Sequence, residues 1–180
     1  MIRFLLFLSN FAELNSLCTC LNCQGDVNLA DNKGRTPLWM AANRGYIDTV
    51  DMLLKFGADL KPTDSEGCSA IHRAAMNGHL GIIRLVHEHL IDDKAATDFI
   101  FNAVTGNGHT PFHWACSNGH DEVAKYLVDV VKVDILKKDG ENRTALTFAQ
   151  QKGHKSIVSW LSPLMKFQNE HDSVKTGWAE

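Results

Sequence analysis

The chain has 180 residues, of which 44% are hydrophobic and 22% are charged, and its formal net charge at pH 7 is −3. This balance provides enough apolar surface for a packed core, and it argues against a general binder of nucleic acid, which would carry a basic excess. The sequence has no apolar run of roughly 18 residues, the length that a spanning helix requires, so we predict no membrane insertion.

Residues 1–25 allow more than one interpretation. Residues 1–8 join one basic residue to an apolar run, as a secretory signal does, but Glu13 and the lack of a small-residue cleavage site argue against a signal. An artefactual gene start is a third alternative. We favour a degenerate N-terminal repeat or cap, because apolar residues in this segment recur 33 positions later. The matched pairs are Leu14 with Ile47, Leu17 with Val50, and Leu21 with Leu54.

The same segment contains Cys18, Cys20 and Cys23, a spacing that can bind zinc. Zinc sites of this kind need four ligands, and the sequence offers no evident fourth. Cys20 lies 33 residues before Leu53, so it fits a small core residue better than a ligand. The chain has five cysteines in all, an odd number more typical of reduced intracellular thiols than of disulfides. We therefore expect no metal and no cofactor.

A twelve-residue pattern, close to Gly-x-Thr-Pro-Leu-His-x-Ala-Ala-x-x-Gly, recurs along the rest of the chain. The second copy starts 33 residues after the first, the third 41 residues after the second, and the fourth 34 residues after the third. The extra length before the third copy indicates an insertion of about eight residues. The four copies occupy residues 34–45, 67–78, 108–119 and 142–153.

The residue types at the ends of each copy fit a short helix. A hydroxyl residue stands where an N-cap belongs, and a glycine stands where a left-handed residue ends the helix. An apolar stretch with helical spacing follows each copy, which predicts a second helix. A four-residue turn with Asp or Thr first, and Gly or Asn last, precedes each copy. The predicted N-caps are Thr36, Ser69, Thr110 and Thr144, and the terminal glycines are Gly45, Gly78, Gly119 and Gly153.

A period near 33 with Thr-Pro-Leu-His is typical of the ankyrin repeat, and the chain resembles that family from about Asp26 to Leu161. The resemblance implies an all-α repeat fold, a solenoid of helix–turn–helix units with short β-hairpin-like finger loops. We predict an array over residues 26–162, with 1–25 as a degenerate cap and 163–180 as a polar tail. The predicted repeats are about 31–63, 64–104, 105–138 and 139–162.

Two segments depart from the regular period. Residues 92–100 are extra residues in the second repeat, and we expect them to prolong its second helix or to form a loop. They are either a product of neutral drift or a specific contact element. Pro163 is expected to end the last helix, because proline cannot donate the next helical hydrogen bond. Residues 165–180 are mostly polar and are expected to form a mobile tail.

The histidines and cysteines do not make a convincing catalytic set. Cys116 and His113 could be drawn as nucleophile and base, yet Cys116 replaces one alanine of a small buried pair, which favours a structural role. Phosphate-binding loops and hydrolase motifs are missing from the sequence, so we predict that the chain is not an enzyme. The resemblance implies scaffold roles for five histidines: backbone bonds between repeats for His72 and His113, and a tether to a neighbouring loop for His79, His120 and His154.

The resemblance also implies that partners bind on the concave side, against the finger tips and the exposed face of each first helix. Four candidates share one position in successive repeats and are expected to form a stripe: Met40, Arg73, Trp114 and Phe148. Arg and Trp are enriched at binding hot spots, although Trp114 and Phe148 could instead merely cover neighbouring repeats. The candidate groove residues are Lys33, Arg35, Met40, Arg44, Glu66, Arg73, Asn77, His109, Trp114, Asn118, Arg143, Phe148 and Lys152.

Charge favours one class of partner for this groove. Across the non-scaffold positions, six cations stand against two acids, and the nearby Asp31, Asp64 and Asp139 reduce this excess. We therefore expect an acidic or amphipathic protein or peptide. The cations are Lys33, Arg35, Arg44, Arg73, Arg143 and Lys152, and the acids are Glu66 and Glu141.

These observations favour a non-catalytic protein–protein interaction module, such as an adaptor, inhibitor or assembly factor. The first alternative is a regulatory or targeting fragment of a larger enzyme or channel. The second is a secreted effector. We expect a cytoplasmic monomer that binds protein and not nucleic acid, with the nucleus as a further location and secretion less favoured.

Overall fold

The structure is a computed structural model that describes the backbone of residues 26–176 and the side chains of residues 26–168. The predictions for residues 1–25, including the cap, the signal and the three cysteines, lie outside the described residues. The described helices, numbered in chain order, are α1 (Pro37–Arg44), α2 (Ile47–Lys55), α3 (Ala70–Met76), α4 (Leu80–His89), α5 (Lys94–Phe101), α6 (Pro111–Ser117), α7 (Asp121–Tyr126), α8 (Ala145–Lys152) and α9 (Lys155–Thr176).

The helices form two layers, as the predicted all-α solenoid requires. Helices α1, α3, α6 and α8 pack in that order as an inner layer, while α2, α4, α7 and α9 pack in the same order outside them. Small side chains at the centre of the inner helices permit this close approach, and Ala42, Ala75 and Cys116 are all fully buried. The prediction of an ankyrin-type helix–turn–helix stack is therefore confirmed.

Hydroxyl side chains cap three of the four inner helices as predicted. The Thr36 hydroxyl accepts the Trp39 N–H at 3.2 Å, and Ser69 and Thr110 form reciprocal capping boxes with the histidines three residues later. At the fourth inner helix Thr144 is the N-cap residue as predicted, but the expected side-chain bond is absent. Thr144 has the expected extended backbone, but its hydroxyl lies 3.3 Å from the Thr147 hydroxyl and accepts no backbone N–H. Thr147 stands where the other copies have His or Trp, and it offers a competing hydroxyl.

The predicted finger turns are present. The N–H of Gly34 donates to the Asp31 carbonyl at 2.9 Å, and that of Asn142 donates to the Asp139 carbonyl at 3.1 Å. Asn142 has φ of 65°, so it adopts the left-handed conformation that glycine adopts in the other turns. Neighbouring fingers are also joined by backbone bonds. One of these runs from the Ser65 N–H to the Lys33 carbonyl at 2.9 Å.

Histidine side chains lock each inner helix to the next repeat, as predicted. The Nε2 of His120 lies 2.8 Å from the Met76 carbonyl, and that of His154 lies 2.9 Å from the Ser117 carbonyl. His79 makes the equivalent contact with the Asn43 carbonyl at 3.3 Å. Each ring lies so close to the terminal glycine of the preceding copy that an added Cβ would approach it to 2.6–2.7 Å.

The insertion in the second repeat forms a helix of its own, so neither predicted form is correct. A turn first breaks the chain after α4, because the Asp93 N–H donates to the Leu90 carbonyl at 2.9 Å. The Asp93 carboxylate then caps α5 by accepting the Ala96 N–H at 2.9 Å. Ile100 and Phe101 are buried, and this anchors the new helix to the core.

The prediction that Pro163 ends the last helix is wrong. Helix α9 continues through Pro163 to Thr176, so the first part of the predicted tail is helical. Leu161 and Met165 are buried on either side of the proline. Apolar burial in consecutive turns therefore offsets the lost backbone hydrogen bond, whose removal costs about 3 kcal/mol in a helix without such support.

The third repeat absorbs an extra residue by local unwinding. Helix α7 is followed by a π-helical turn, Leu127–Val131, which ends at Lys132 with φ of 64°. Lys132 occupies the position that Gly57 occupies two repeats earlier, where φ is 80°. The register recovers at the next finger, because Ile135 is buried like its counterpart Leu60.

Candidate partner-binding groove

The four residues of the predicted stripe lie at one register position on the four inner helices. Met40 is on α1, Arg73 on α3, Trp114 on α6 and Phe148 on α8, and each side chain is partly exposed. Because these helices pack in order, the residues follow one another along the array. Their role in binding stays a prediction, but their surroundings differ sharply between the two halves.

An aromatic cluster occupies the C-terminal half of the groove, and His109 is its centre. The His109 ring meets the rings of Trp114 and Phe148 edge to face, with centroids 5.2 Å apart in both pairs. The Arg143 guanidinium lies over the Phe148 ring at 4.6 Å from its centroid. A narrow cavity opens beside the cluster, and it is lined by these three rings together with His113 and Ser117. The buried Nε1–H of Trp114 has no acceptor among the described residues.

Arg73 dominates the N-terminal half, where it acts within the scaffold. Its guanidinium lies 2.6 Å from the Asp64 carboxylate and 2.7 Å from that of Glu66. It also covers the Trp39 ring at 4.9 Å from the centroid, and only 16% of its side chain is exposed. Trp39 in turn donates its Nε1–H to the Cys68 carbonyl at 3.1 Å. Sequence reasoning missed this network because Arg73 reaches back nine residues to Asp64.

The first residue of each finger organises the loop that follows it. Asp139 accepts the N–H groups of Glu141 and Arg143 through Oδ1, at 2.9 and 2.8 Å, and its Oδ2 pairs with the Arg143 guanidinium at 2.8 Å. Burial acts to raise the pKa of Asp139, but these donors outweigh it and lower the pKa to about 2. Asp31 makes the same set of bonds with Lys33 and Arg35. The Arg35 side chain is the main cause of its pKa of about 2.

The third finger lacks the aspartate that organises the other fingers, and this explains the position of His109. Thr105 replaces the aspartate, and its hydroxyl accepts the His109 N–H at 3.2 Å. His109 therefore has no carboxylate within its own finger. Its Nε2 instead lies 3.2 Å from Oδ2 of Asp139 in the next repeat. The combination of Thr for Asp and His for Arg was visible in the sequence, and it was the signal for this cross-repeat contact.

The ion pairs change the charge predicted for the groove. Arg35, Arg73 and Arg143 are paired with carboxylates of the fingers. The comparison of six cations with two acids does not count the three finger aspartates that lie nearby. Counting them gives six against five, an excess of one instead of four. The aspartates are Asp31, Asp64 and Asp139, and the groove cations that have no ion pair among the described residues are Lys33, Arg44 and Lys152.

Two predicted contact residues have their side-chain amides engaged between repeats. Asn77 donates to the Asn43 carbonyl at 3.0 Å, and Asn118 donates to the Met76 carbonyl at 2.7 Å. Both residues remain exposed at their outer atoms. They therefore present a fixed edge to solvent, and each carries part of the bond between consecutive inner helices.

The buried histidines serve the scaffold, with one departure from prediction. The Nε2 of His72 lies 3.1 and 3.2 Å from the carbonyls of Ala103 and His109, as predicted. The corresponding contact of His113 is weaker than predicted: the backbone groups of Arg143 and Lys137 act to raise its pKa, but its Nε2 forms no close hydrogen bond with either. Burial lowers the pKa of both histidines to about 4, so both are neutral at pH 7.

Neither the thiols nor the one described cluster of metal-type ligands resembles an active site. Cys116 is fully buried, and that burial raises its pKa, so it is a thiol and not a thiolate at pH 7. Ligand atoms of Asp64, Glu66 and Cys68 lie within 4.8 Å of one another. The Arg73 guanidinium already forms ion pairs with both carboxylates of that cluster, and burial raises the Cys68 pKa to about 11.

Comparison with known proteins agrees with this architecture. The family model for ankyrin repeats matches residues 5–98 and 86–172. The chain belongs to the ankyrin-repeat family. Repeats of this family are protein-interaction modules and are generally non-catalytic. Within the described part of this chain, no helix is both long enough and apolar enough to cross a membrane.

Several curated proteins are similar to the ankyrin-repeat chain. It is 30% identical to the transient receptor potential cation channel subfamily A member 1 homolog of Caenorhabditis elegans over 127 residues, which are 71% of this chain and 10% of that protein. It is also 30% identical to the palmitoyltransferase AKR1 of Lachancea kluyveri over 137 residues, 76% of this chain and 18% of that protein. Identity to the Notch-regulated ankyrin repeat-containing protein A of Danio rerio is 40% over 75 residues, 41% of this chain and 67% of that protein. The chain therefore spans about a tenth of the length of the channel homolog and about a fifth of the length of the palmitoyltransferase.

Proposed function

We propose that this ankyrin array is a non-catalytic interaction module, acting as an adaptor, inhibitor or assembly factor, and that it binds a protein or peptide along the stripe Met40–Arg73–Trp114–Phe148. The observation that carries the proposal is the aromatic cluster of His109, Trp114 and Phe148. These rings are partly exposed at the stripe, and rigid aromatic groups with a polar tip are the usual anchors of protein interfaces.

The chemistry of the cluster defines what a partner should provide. Its partly exposed rings suit one apolar side chain of the partner. Lys33, Arg44 and Lys152 lie exposed at other points of the groove and would attract acidic residues. An amphipathic peptide with an acidic flank is therefore the proposed ligand. The small cation excess supports only a modest acidic preference.

The test uses variants that leave the Arg73 network intact. Tagged wild-type protein and a Trp114→Ala/Phe148→Ala variant are used to capture partners from the source cells, and captured proteins are quantified by mass spectrometry. A partner retained by the wild type and by a Phe56→Ala control, but lost with the double variant, supports the groove. Phe56 is a suitable control because it is 40% exposed on another part of the surface. A partner that all three proteins retain equally rejects the groove.

Arg73 is unsuitable for that test, although its position in the stripe suggests it. Removal of its guanidinium would leave Asp64, whose side chain is only 4% exposed, without a counter-charge. If an Arg73 variant lost its partner, the cause could then be unfolding of the array instead of removal of a groove contact.

The second candidate function is a targeting or regulatory segment within a longer enzyme or channel. This candidate is supported by the channel homolog and the palmitoyltransferase, because the region similar to this chain is only a small part of each of those proteins. Sequencing of full-length transcripts from the source cells tests it, because a reading frame that continues beyond the array would favour it and a closed frame would reject it.

For the array itself we propose a monomer in the cytoplasm or nucleus that does not bind nucleic acid. The net charge of −3 and the buried free thiols Cys68 and Cys116 support this.

A further inference from the structure

The insertion helix α5 forms one wall of a cavity that is separate from the groove. The cavity has a volume of about 430 Å³ and is partly open to solvent. We call it the insertion pocket, and its principal lining residues are Leu60, Lys61, Phe99, Ile100, Val104 and Lys137. It shares no residue with the candidate groove, so a ligand in one site leaves the other free.

The wall formed by α5 is rigid. The Asp93 carboxylate caps the helix, and the Thr97 hydroxyl shares its one hydrogen between the Leu90 and Asp93 carbonyls, both at 3.0 Å. Ile100 and Phe101 anchor it in the core with exposures of 4% and 0%. The helix also packs against the π-helical turn of the next repeat. The pocket is therefore preformed, and a ligand need not bear the entropic cost of ordering a loop.

Two large apolar side chains that line this pocket are exposed to solvent. Phe99 is 60% exposed and Val104 is 48% exposed. Scattered apolar residues on a surface need no explanation, but these two line the same concave site. An apolar side chain of a partner would bury them both.

The charges around the pocket specify the partner further. Lys61 and Lys137 are exposed and have no ion pair among the described residues, while Asp98 on α5 is the one carboxylate in the lining. The lining therefore carries an excess of one positive charge. A carboxylate next to the apolar group would be attracted to the lysines and repelled from the α5 side, which fixes the direction of the ligand.

We propose that the insertion pocket is a second docking site, which binds a partner polypeptide through one large apolar side chain flanked by carboxylates. A polypeptide is favoured over a fatty acid because the site is a half-open depression. Sites for small ligands usually bury 70–90% of the ligand surface, and a lipid chain would stay largely exposed here. Helix α5 thus gives the second repeat a binding surface that is separate from the groove.

The experiment uses three short fluorescein-labelled peptides that differ only in the residues flanking a central phenylalanine, which are Glu, Lys or Ser. Anisotropy titrations should show that the Glu-flanked peptide binds at least about tenfold more tightly than the Lys-flanked one, a difference of 1.4 kcal/mol. Phe99→Ala/Val104→Ala should weaken this binding by about tenfold or more, as removal of a hot spot does. Lys61→Ala/Lys137→Ala should reduce the affinity to that of the Ser-flanked peptide.

Matched controls separate this site from the groove. Phe56→Ala and Lys125→Ala remove an exposed ring and an exposed cation elsewhere, and they should leave the affinity unchanged. Trp114→Ala/Phe148→Ala removes any binding of the same peptide at the groove and should leave the Phe99-dependent binding unchanged, so the two sites are tested separately. Thermal melts check that each variant folds. Phe99→Ser alone replaces the apolar double variant if that variant does not fold.

Three results would overturn the proposal. The first is no binding of any peptide at concentrations up to about 1 mM, which corresponds to less than about 4 kcal/mol of affinity. The second is equal binding of the Glu- and Lys-flanked peptides. The third is displacement of the peptide by decanoate together with direct decanoate binding, since this would assign the pocket to a lipid.

Discussion

The imidazole of His109 reaches from the third finger to the carboxylate of Asp139 in the fourth, with Nε2 and Oδ2 separated by 3.2 Å. The Asp139 side chain is fully buried, and its other partners all come from its own loop. His109 is therefore the side chain that couples the two fingers, and it is also the centre of the aromatic cluster.

Replacing His109 with alanine should destabilise the fourth repeat. The variant loses two edge-to-face ring contacts and the Asp139 contact, and we expect a loss of about 1–2 kcal/mol in the free energy of unfolding. Urea denaturation measures this loss. His89→Ala is the control because His89 is exposed on the outer helix α4, and its loss should stay within about 0.5 kcal/mol. Equal stability of the two variants would contradict the proposed coupling.

Arg73→Ala should be among the most destabilising substitutions of a partly exposed residue. It removes two ion pairs and the contact with Trp39, and it leaves the Asp64 carboxylate buried without a counter-charge. We expect a loss of about 2–3 kcal/mol in urea denaturation, less than for a fully buried pair because water reaches part of the site. Arg44→Ala removes an exposed arginine of the neighbouring helix and should have little effect. A similar small effect for Arg73→Ala would refute the structural role.

Acid should destabilise the array in a window set by its buried histidines. Burial lowers the pKa of His72 and His113 to about 4, below the ordinary value of 6.5. The unfolded chain therefore binds more protons between these values, and stability should fall as pH drops from about 6.5 to about 4. Urea denaturation at several pH values gives the slope. His72→Gln should reduce that slope, whereas His89→Gln should leave it unchanged.

A second acid window belongs to the finger aspartates. The pKa of Asp139 is lowered to about 2, so its stabilising contribution is complete above its ordinary value of 3.8 and is lost as pH falls toward 2. The contribution should be on the order of 1–2 kcal/mol. Asp139→Asn should lose most of it at pH 6 and should differ little from the wild type at pH 2. A constant difference between the two proteins across this range would show that ionisation of Asp139 is irrelevant.

Lys132→Gly should stabilise the protein. Lys132 holds φ of 64°, a conformation that L-residues with a Cβ adopt at a cost, and its counterpart in the first repeat is Gly57. We expect a gain of about 0.5–1 kcal/mol in the free energy of unfolding. Gly57→Ala is the reciprocal control. No atom lies within 4 Å of the Cβ that this substitution would add. We therefore expect Gly57→Ala to lower the free energy of unfolding by a similar amount, through backbone strain alone. A loss of stability in Lys132→Gly would contradict the expected strain.

Much of the fold was predictable because it depends on residues close together in sequence. Helix caps, terminal glycines and finger turns are local, and each carries its own chemistry. The errors arose where distant packing decides. Buried Leu161 and Met165 keep α9 intact through Pro163, and buried Ile100 and Phe101 turn the insertion into a helix.

The candidate groove also combines features that follow from the local sequence with features that depend on distant packing. The stripe follows from the repeat period, so its register position was predictable from the sequence. The pairing of Arg73 with Asp64 was not, because it spans nine residues and depends on how a finger folds over α3. The presence of the finger aspartates near the groove cations was also predictable, but which cations they pair with was not.

The third-repeat π turn and helix α5 add length in consecutive repeats, and the inner helices keep their packing order across both. The spacing of the inner layer is therefore independent of the number of residues that connect one inner helix to the next. A protein engineer could use this property directly. The exposed residues Ile91 and Asp92, which precede the Asp93 cap of α5, are a site where a foreign epitope or a sensor peptide can be grafted, with the groove residues on either side keeping their positions.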